Sequence, residues 1–230
     1  MTILALDTSS QAASCAVLRD GELAGEFFAN VGLTHSQTAL PMVAALLEQV
    51  RLTLADIDVF AVCTGPGSFT GLRIGIATVK GFALAGDKPC VGVSTLHTLA
   101  NGACMHEGYI CPVLDARREQ VYTALFEGDG KQVRRVWEDE AIPIAQLGER
   151  LSELSSRIVL VGDGAHKCLD ALGGKLALPP ERFVHQRASA LAAAAHDMAA
   201  RGQLHSADDL APSYLRLPQA ERERNIKAQN

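Results

Sequence analysis

Thr2-Ile3-Leu4-Ala5-Leu6-Asp7 is an apolar run that ends on a carboxylate, and Tyr109-Ile110-Cys111-Pro112-Val113-Leu114-Asp115 repeats that ending in the second half of the chain. A short continuous apolar run closed by a polar residue is the pattern of a buried strand. Each run is followed by the same series of signals. After Asp7, residues 14 to 19 read as a second strand, Asp20-Gly21 as a hairpin turn, and Glu22 to Ala29 as a third strand. A helical stretch at residues 36 to 50 and a strand from Asp58 to Cys63 complete the unit. After Asp115 come a strand from Gln120 to Glu127, the turn Gly128-Asp129-Gly130 and a strand from Gln132 to Trp137. A helix at about residues 143 to 154 and a strand from Arg157 to Val161 close this second unit. Two runs of strand, strand, strand, helix, strand predict a duplicated α/β unit.

With Asp7 and Asp115 at equivalent strand ends, the register resembles the actin, Hsp70 and sugar kinase superfamily, whose members set two ribonuclease-H-like lobes around a nucleotide cleft. That resemblance implies an N-terminal lobe over residues 1–104, a C-terminal lobe over 105–215 and a flexible tail over 216–230. The boundary falls where Asn101-Gly102 and His106-Glu107-Gly108 interrupt the apolar pattern.

The 230 residues, 48% of them hydrophobic, suffice for one large core or two modest ones. Lys and Arg number 21 against 26 Asp and Glu, and a net charge of −5 repels a phosphate backbone, so a free-standing tRNA binder is not expected. The N-terminal run lacks the basic region of a signal peptide and meets Asp7 early, so it is expected to be a strand. No stretch of about 18 uninterrupted apolar residues is present to span a membrane. Cys15, Cys63, Cys90, Cys104, Cys111 and Cys168 form no CxxC pair and stand mostly in apolar runs, as expected for reduced thiols in a cytoplasmic protein.

Residues 64 to 75, Thr-Gly-Pro-Gly-Ser-Phe-Thr-Gly-Leu-Arg-Ile-Gly, follow a buried strand and open a long helix. Gly65 and Gly67 permit close backbone approach, and Ser68 or Thr70 can cap the helix. Such a helix start can hold an anion or serve only as a turn, and the spacing is neither a Walker A loop nor GxGxxG. Together with Leu4-Ala5-Leu6-Asp7-Thr8-Ser9-Ser10, His35-Ser36-Gln37, Leu40-Pro41 and Pro212-Ser213-Tyr214-Leu215-Arg216, the segment resembles the TsaB/YeaZ family over nearly the whole chain. The resemblance implies a non-catalytic partner of the paralogue TsaD, acting with the ATPase TsaE. In that system threonylcarbamoyl passes from threonylcarbamoyl-adenylate to the tRNA adenosine adjacent to the anticodon. It further implies that tRNA is met only through the complex, and the shared fold of the two paralogues would let the same surface form a homodimer when TsaD is absent, the sequence leaving monomer and homodimer both open.

The residues offer little chemistry of their own. TsaD-type paralogues hold a metal with an HxxxH pair, but here His35 is followed four positions later by Ala39, so no metal and no catalytic residue are expected. Asp7-Thr8-Ser9-Ser10 and Asp115-Ala116-Arg117-Arg118-Glu119 occupy the positions of the superfamily's phosphate loops without their glycines. Gly162-Asp163-Gly164-Ala165 is either a remnant of the adenosine-side turn or an ordinary glycine turn before a helix. A vestigial nucleotide cleft would therefore use Asp7, Thr8, Ser9, Asp115, Gly162 and Gly164, with Asp7 and Asp115 available to magnesium, and no cofactor is expected.

Residues 39 to 47 are apolar on every side of a helical wheel, so the face not covered by the chain's own sheet is expected to meet a partner. Pro41 sits in the first turn if Thr38 is the N-cap; a helix that begins nearer His35 is expected to kink there. Gly71, Gly75 and Thr78 on the next helix are spaced to let another helix approach, or to pack a core. The expected TsaD interface is Ser36, Leu40, Val43, Leu47, Gly71, Gly75 and Thr78. The tail after Arg216 carries Arg222, Arg224 and Lys227 against Glu221 and Glu223, a charge that fits either contact with tRNA or TsaE or a solvated end. Two other functions compete: an ATP-dependent small-molecule kinase of the same superfamily, disfavoured by the missing loop glycines, and a glycoprotein metallopeptidase, disfavoured by the missing HxxxH or HExxH.

Overall fold

The computed structural model describes residues 1–215; the tail from Arg216 onward lies outside the described residues. Thr2–Asp7 (β1) is buried along its whole length and pairs with Ala13–Arg19 (β2) in antiparallel register. Asp20 and Gly21 both take positive φ, at 51° and 85°, the two-residue hairpin geometry that the Asp-Gly pair favours, and lead into Glu22–Ala29 (β3). His35–Gln49 (α1) then returns the chain to Val59–Gly65 (β4), which lies parallel to β1. Phe69–Gly86 (α2) and Cys90–Ser94 (β5) complete a five-stranded sheet of order β3-β2-β1-β4-β5.

Thr95–Gly102 (α3) leads to the second unit. Glu107–Asp115 (β6), Gln120–Asp129 (β7), Val133–Pro143 (β8), Ile158–Val161 (β9) and Leu176–Ala177 (β10) form a sheet of order β10-β9-β6-β7-β8. Read from the other edge, that is the order of the first sheet, so the duplication extends to topology. Ile144–Ser152 (α4) and Ala165–Leu172 (α5) sit between its strands in the chain, and Ala188–Ala200 (α6) follows the last.

Because β1 is covered on both faces, alternate residues serve two cores. Leu4 and Leu6 pack with Val43, Leu46, Phe60 and Ile76 beneath α1 and α2. Ile3 and Ala5 pack with Ala16, Val59, Val91 and the alanine-rich face of α6. The second sheet is covered on one face by Leu147, Leu151, Ala165 and Cys168 of α4 and α5. On its other face lie Leu96, Leu99 and Ala100 of α3. The helix that follows each unit's last strand therefore covers the other unit's sheet. Asn101 on α3 donates to the carbonyl of Ala190 at 2.8 Å where the two crossing helices meet. The start of α6 is fixed to the edge strand β3 by Glu26, which accepts from Arg187 Nη2 at 2.8 Å and from the Ser189 amide and hydroxyl at 2.9 Å each.

The chain after α6 runs back along α2. His205 and Cys90 exchange two backbone hydrogen bonds of 2.8 Å, Lys80 Nζ donates to the carbonyl of Leu210 at 3.2 Å, and the Ser213 amide donates to Thr64 at 2.7 Å. The N-cap of α1 is Thr34, so Pro41 lies inside the helix rather than in its first turn. There it removes the amide that would bond to Gln37.

Candidate functional site

The end of β6, the first turns of α1 and α2, and the two loops after β1 and β6 border a cleft of about 760 Å³ between the lobes. Its walls differ in kind.

On the first-lobe side Thr8, Ser9 and Ser10 are buried by the protein itself. Thr8 Oγ1 donates to the carbonyl of Gly71 at 2.8 Å, and the Ser68 amide donates to the carbonyl of Ser9 at 2.7 Å. A Cβ at Gly67 would stand 2.2 Å from the Ser9 carbonyl oxygen, one at Gly71 2.1 Å from that of Thr8, and one at Gly75 2.4 Å from Thr8 Oγ1. The glycines of the 64–75 segment therefore seat α2 on the loop after β1. Of the two candidate caps it is Ser68 that caps the helix, accepting from the Gly71 amide at 3.2 Å. His35 shares a hydrogen bond of 2.7 Å between its Nε2 and the Ser10 carbonyl, tying α1 to the same loop. Gln186 donates to Ser10 Oγ from the second half of the chain. Ala39, at the position of the missing second histidine, is buried in the core, and among the described residues no group of three or more His, Cys, Asp or Glu side chains is placed to hold a metal.

Asp7 is wholly inaccessible, its Oδ1 accepting the Ser9 amide at 2.8 Å. Burial pushes its pKa up, against the opposing hydrogen bonds from Ser9. This wall offers a metal no carboxylate: Asp7 cannot reach the cleft, and Gly67 packs directly against the Ser9 carbonyl. Nor can Asp7 and Asp115 share a magnesium ion, because Asp115 is exposed and Asp7 is sealed.

The second-lobe wall is open. Asp115 accepts from the Arg117 amide at 2.8 Å and donates its own amide to Asp163 at 2.9 Å. Burial raises the pKa of Asp163. Gly162 and Gly164 do not line the cleft; they let the turn before α5 press on the end of β6, where a Cβ at Gly162 would stand 2.3 Å from the Val113 carbonyl. Arg117, Arg118 and Glu119 all hold positive φ, at 62°, 53° and 55°. For residues with side chains that conformation costs on the order of 1–3 kcal/mol each. Lys167 on α5 holds the turn from below, with Nζ 3.0 Å from Glu119 and 3.7 Å from Asp115.

Beside the cleft, α1 and α2 present an outer face. Of the seven residues expected to form it, Ser36 and Leu40 are exposed and Thr78 is half-buried. Val43 and Leu47 are core residues, and Gly71 and Gly75 face Thr8. The exposed face instead carries Leu40, Pro41 and Ala44 on α1 with Ala77, Gly81 and Leu84 on α2. At its cleft end Tyr214 stacks on Phe69 with ring centroids 5.3 Å apart, and Arg73 lies 3.9 Å over Phe69 while donating to Tyr214 Oη at 3.0 Å. Phe69 and Tyr214 each retain 37% exposure, so the cluster is half open to solvent. Phe69, Tyr214 and Gly81 escape the sequence-based expectation, although Gly81 sits on the same helical stripe as Thr78.

The chain is 35% identical over 225 residues to the Bacillus subtilis protein named tRNA threonylcarbamoyladenosine biosynthesis protein TsaB, covering 96% of each. The chain belongs to the TsaB family. A family model described as TsaD, tRNA N6-adenosine threonylcarbamoyltransferase, matches residues 30–222. The solved structure of YeaZ from Pseudomonas aeruginosa superposes with a TM-score of 0.80 at 30% identity, covering 93% of this chain and 99% of that one. Component A of (R)-2-hydroxyglutaryl-CoA dehydratase from Acidaminococcus fermentans shares the fold alone, with a TM-score of 0.52 at 14% identity, 87% of this chain and 99% of that one. The architecture is thus a duplicated α/β unit, two five-stranded sheets of matching strand order, in a fold that this component shares. No helix of the described residues is long and apolar enough to cross a membrane.

Proposed function

We propose that this chain acts in tRNA threonylcarbamoyladenosine biosynthesis as a non-catalytic scaffold that binds and activates TsaD, with TsaE in the assembled complex. The observation that carries the non-catalytic part is the sealed first loop: Asp7 is inaccessible and Gly67 and Ser68 cover Ser9. Nucleotide chemistry in this fold needs that loop open to phosphate. Family membership supports the tRNA part, and a match to a family model named for TsaD is what a catalytic partner of the same fold predicts.

The partner surface is the outer face of α1 and α2, with Ser36, Leu40, Ala44, Ala77, Thr78 and Gly81 in contact. A Cβ at Gly81 would meet nothing within 4 Å, so this chain's own packing does not require glycine there. A mid-helix glycine costs roughly 0.5–1 kcal/mol relative to alanine, and close approach of a partner helix gives that cost a purpose. The same face pairs with a second copy when TsaD is absent, because an interface built for a paralogue of the same fold is nearly self-complementary. The chain works in the cytoplasm and reaches tRNA only through the complex.

Reconstituted transfer with and without this chain tests the proposal. The chain alone is expected to modify no tRNA, and TsaD with TsaE is expected to be slow until it is added. Transfer by the chain alone, or full-rate transfer in its absence, would refute the scaffold role. Leu40→Glu is expected to abolish co-purification with TsaD while leaving the melting temperature unchanged.

A further inference from the structure

We propose that the groove between the β7–β8 hairpin and the crossing helices α3 and α6 binds a free α-amino acid with an apolar side chain. This goes beyond the scaffold role and does not depend on TsaD. The groove lies against α6, on the opposite face of the first sheet from α1 and α2, so it stays open when the partner face is covered.

The groove encloses about 590 Å³, enough for a molecule of that size. Its apolar lining comes from Ala194 and Met198 of α6, Phe126 of β7 and Val133 of β8. His97 of α3 stacks on Phe126 with ring centroids 5.6 Å apart, and Arg135 lies 4.6 Å over the same ring, which fixes the position of both rings. Most polar groups on the lining are already engaged. Arg134 pairs with Glu127, and Arg135 with Asp139. Asp129 accepts the amides of Lys131 and Gln132 at 2.9 Å each, and Asn101 is bonded to Ala190. Three groups are not engaged in this way. The guanidinium of Arg201 and both ring nitrogens of His97 have no hydrogen bond or ion pair among the described residues, and Asp197 has only His196 Nδ1 at 3.8 Å.

Burial, and then the neighbouring Arg135, holds the His97 pKa below its usual value, so the ring is neutral at pH 7 and offers one donor and one acceptor. Asp197 in the last turn of α6 and Arg201 at its C-cap are four residues apart, a spacing that brings Cβ atoms to about 5–6 Å in a helix. The two form no ion pair with each other among the described residues. Asp197 also stands at the negative end of the helix dipole, where a carboxylate is disfavoured without a cation beside it. A simple anion would leave Asp197 unmatched, and a simple cation would leave Arg201 unmatched. One α-amino acid satisfies both: its carboxylate meets the Arg201 fork and the His97 N–H, its ammonium meets Asp197, and its side chain covers the apolar lining.

Amide chemical shifts of the full chain, titrated with L-phenylalanine, test this. Saturable shifts are expected at His97, Val133 and Met198 and not on α1 or α2. Phenylalaninamide lacks the carboxylate and N-acetylphenylalanine lacks the ammonium. Each is expected to bind at least about tenfold more weakly, the loss of one charge-assisted hydrogen bond. Arg201→Gln is expected to weaken phenylalanine binding by the same factor while leaving phenylalaninamide unchanged. Asp197→Asn is expected to weaken phenylalanine binding equally while leaving N-acetylphenylalanine unchanged. Both side chains are exposed, so the melting temperature should hold in each variant. Absence of saturable shifts at the groove, equal affinity for the three probes, or unchanged phenylalanine affinity in either variant would overturn the proposal.

Discussion

The loops after β1 and β6 occupy the same place in two copies of one unit, yet one is interior and the other is surface. Thr8-Ser9-Ser10 is buried under α2 and bonded to His35, Gly71 and Gln186, whereas Ala116 to Glu119 lies along an open wall with two arginine side chains reaching no partner among the described residues. Duplication placed an equivalent loop after the first strand of each unit. The first is a joint that holds α1, α2 and the second lobe together, and the second lies at the surface. Equivalent loops of a duplicated fold can thus differ in what packs on them.

If the first loop is a joint, the glycines above it are its tightest fit. Gly71→Ala is expected to destabilise the chain by about 3 kcal/mol, since the new methyl meets a backbone carbonyl that cannot yield without moving the end of β1. Equilibrium denaturation measures this, and a cost under about 1 kcal/mol would mean that the loop is as adaptable as its counterpart. Asp7→Asn sharpens the comparison in a second way. Burial raises the folded-state pKa of Asp7 above its ordinary 3.8, so the folded protein binds this proton more tightly than the unfolded chain does. That contribution is fully present below pH 3.8 and is lost as pH rises through the raised folded value. An amide at this position does not titrate, so the Asp7→Asn variant should be the more stable protein at neutral pH, with the difference shrinking on acidification. Thermal melts of both proteins across that window report it, and a constant difference would place Asp7 in contact with solvent. The smallest effect lies on the outer face: Gly81→Ala should stabilise the isolated chain by roughly 0.5–1 kcal/mol while weakening capture by TsaD. Equal capture by both forms would move the partner elsewhere.

Much of the fold is legible in the sequence. The strands ending at Asp7 and Asp115, the Asp20-Gly21 hairpin and the Ser68 cap follow from local pattern and turn chemistry. Cys90-Val91-Gly92-Val93 escapes the strand reading, although its β-branched residues between Pro89 and Ser94 carry the signal. Less of the candidate site is legible. Val43 and Leu47 are expected on the partner face and lie in the core, because a helix apolar all round does not say which side meets its own sheet. Gly71 and Gly75 have the spacing of a helix contact, and the residue they admit is Thr8, far away in sequence.

The sequence alone determined the duplicated unit, the family and the loss of the second histidine, because strand periodicity, turn residues and motifs are local properties. Tertiary structure decided that α3 and α6 exchange sheets, that Asp7 is sealed, and that the side chains of Arg117 and Arg118 stand unpaired among the described residues. Those outcomes depend on which surfaces meet across the sheets, and burial and strain are fixed only when distant parts of the chain compete for the same space.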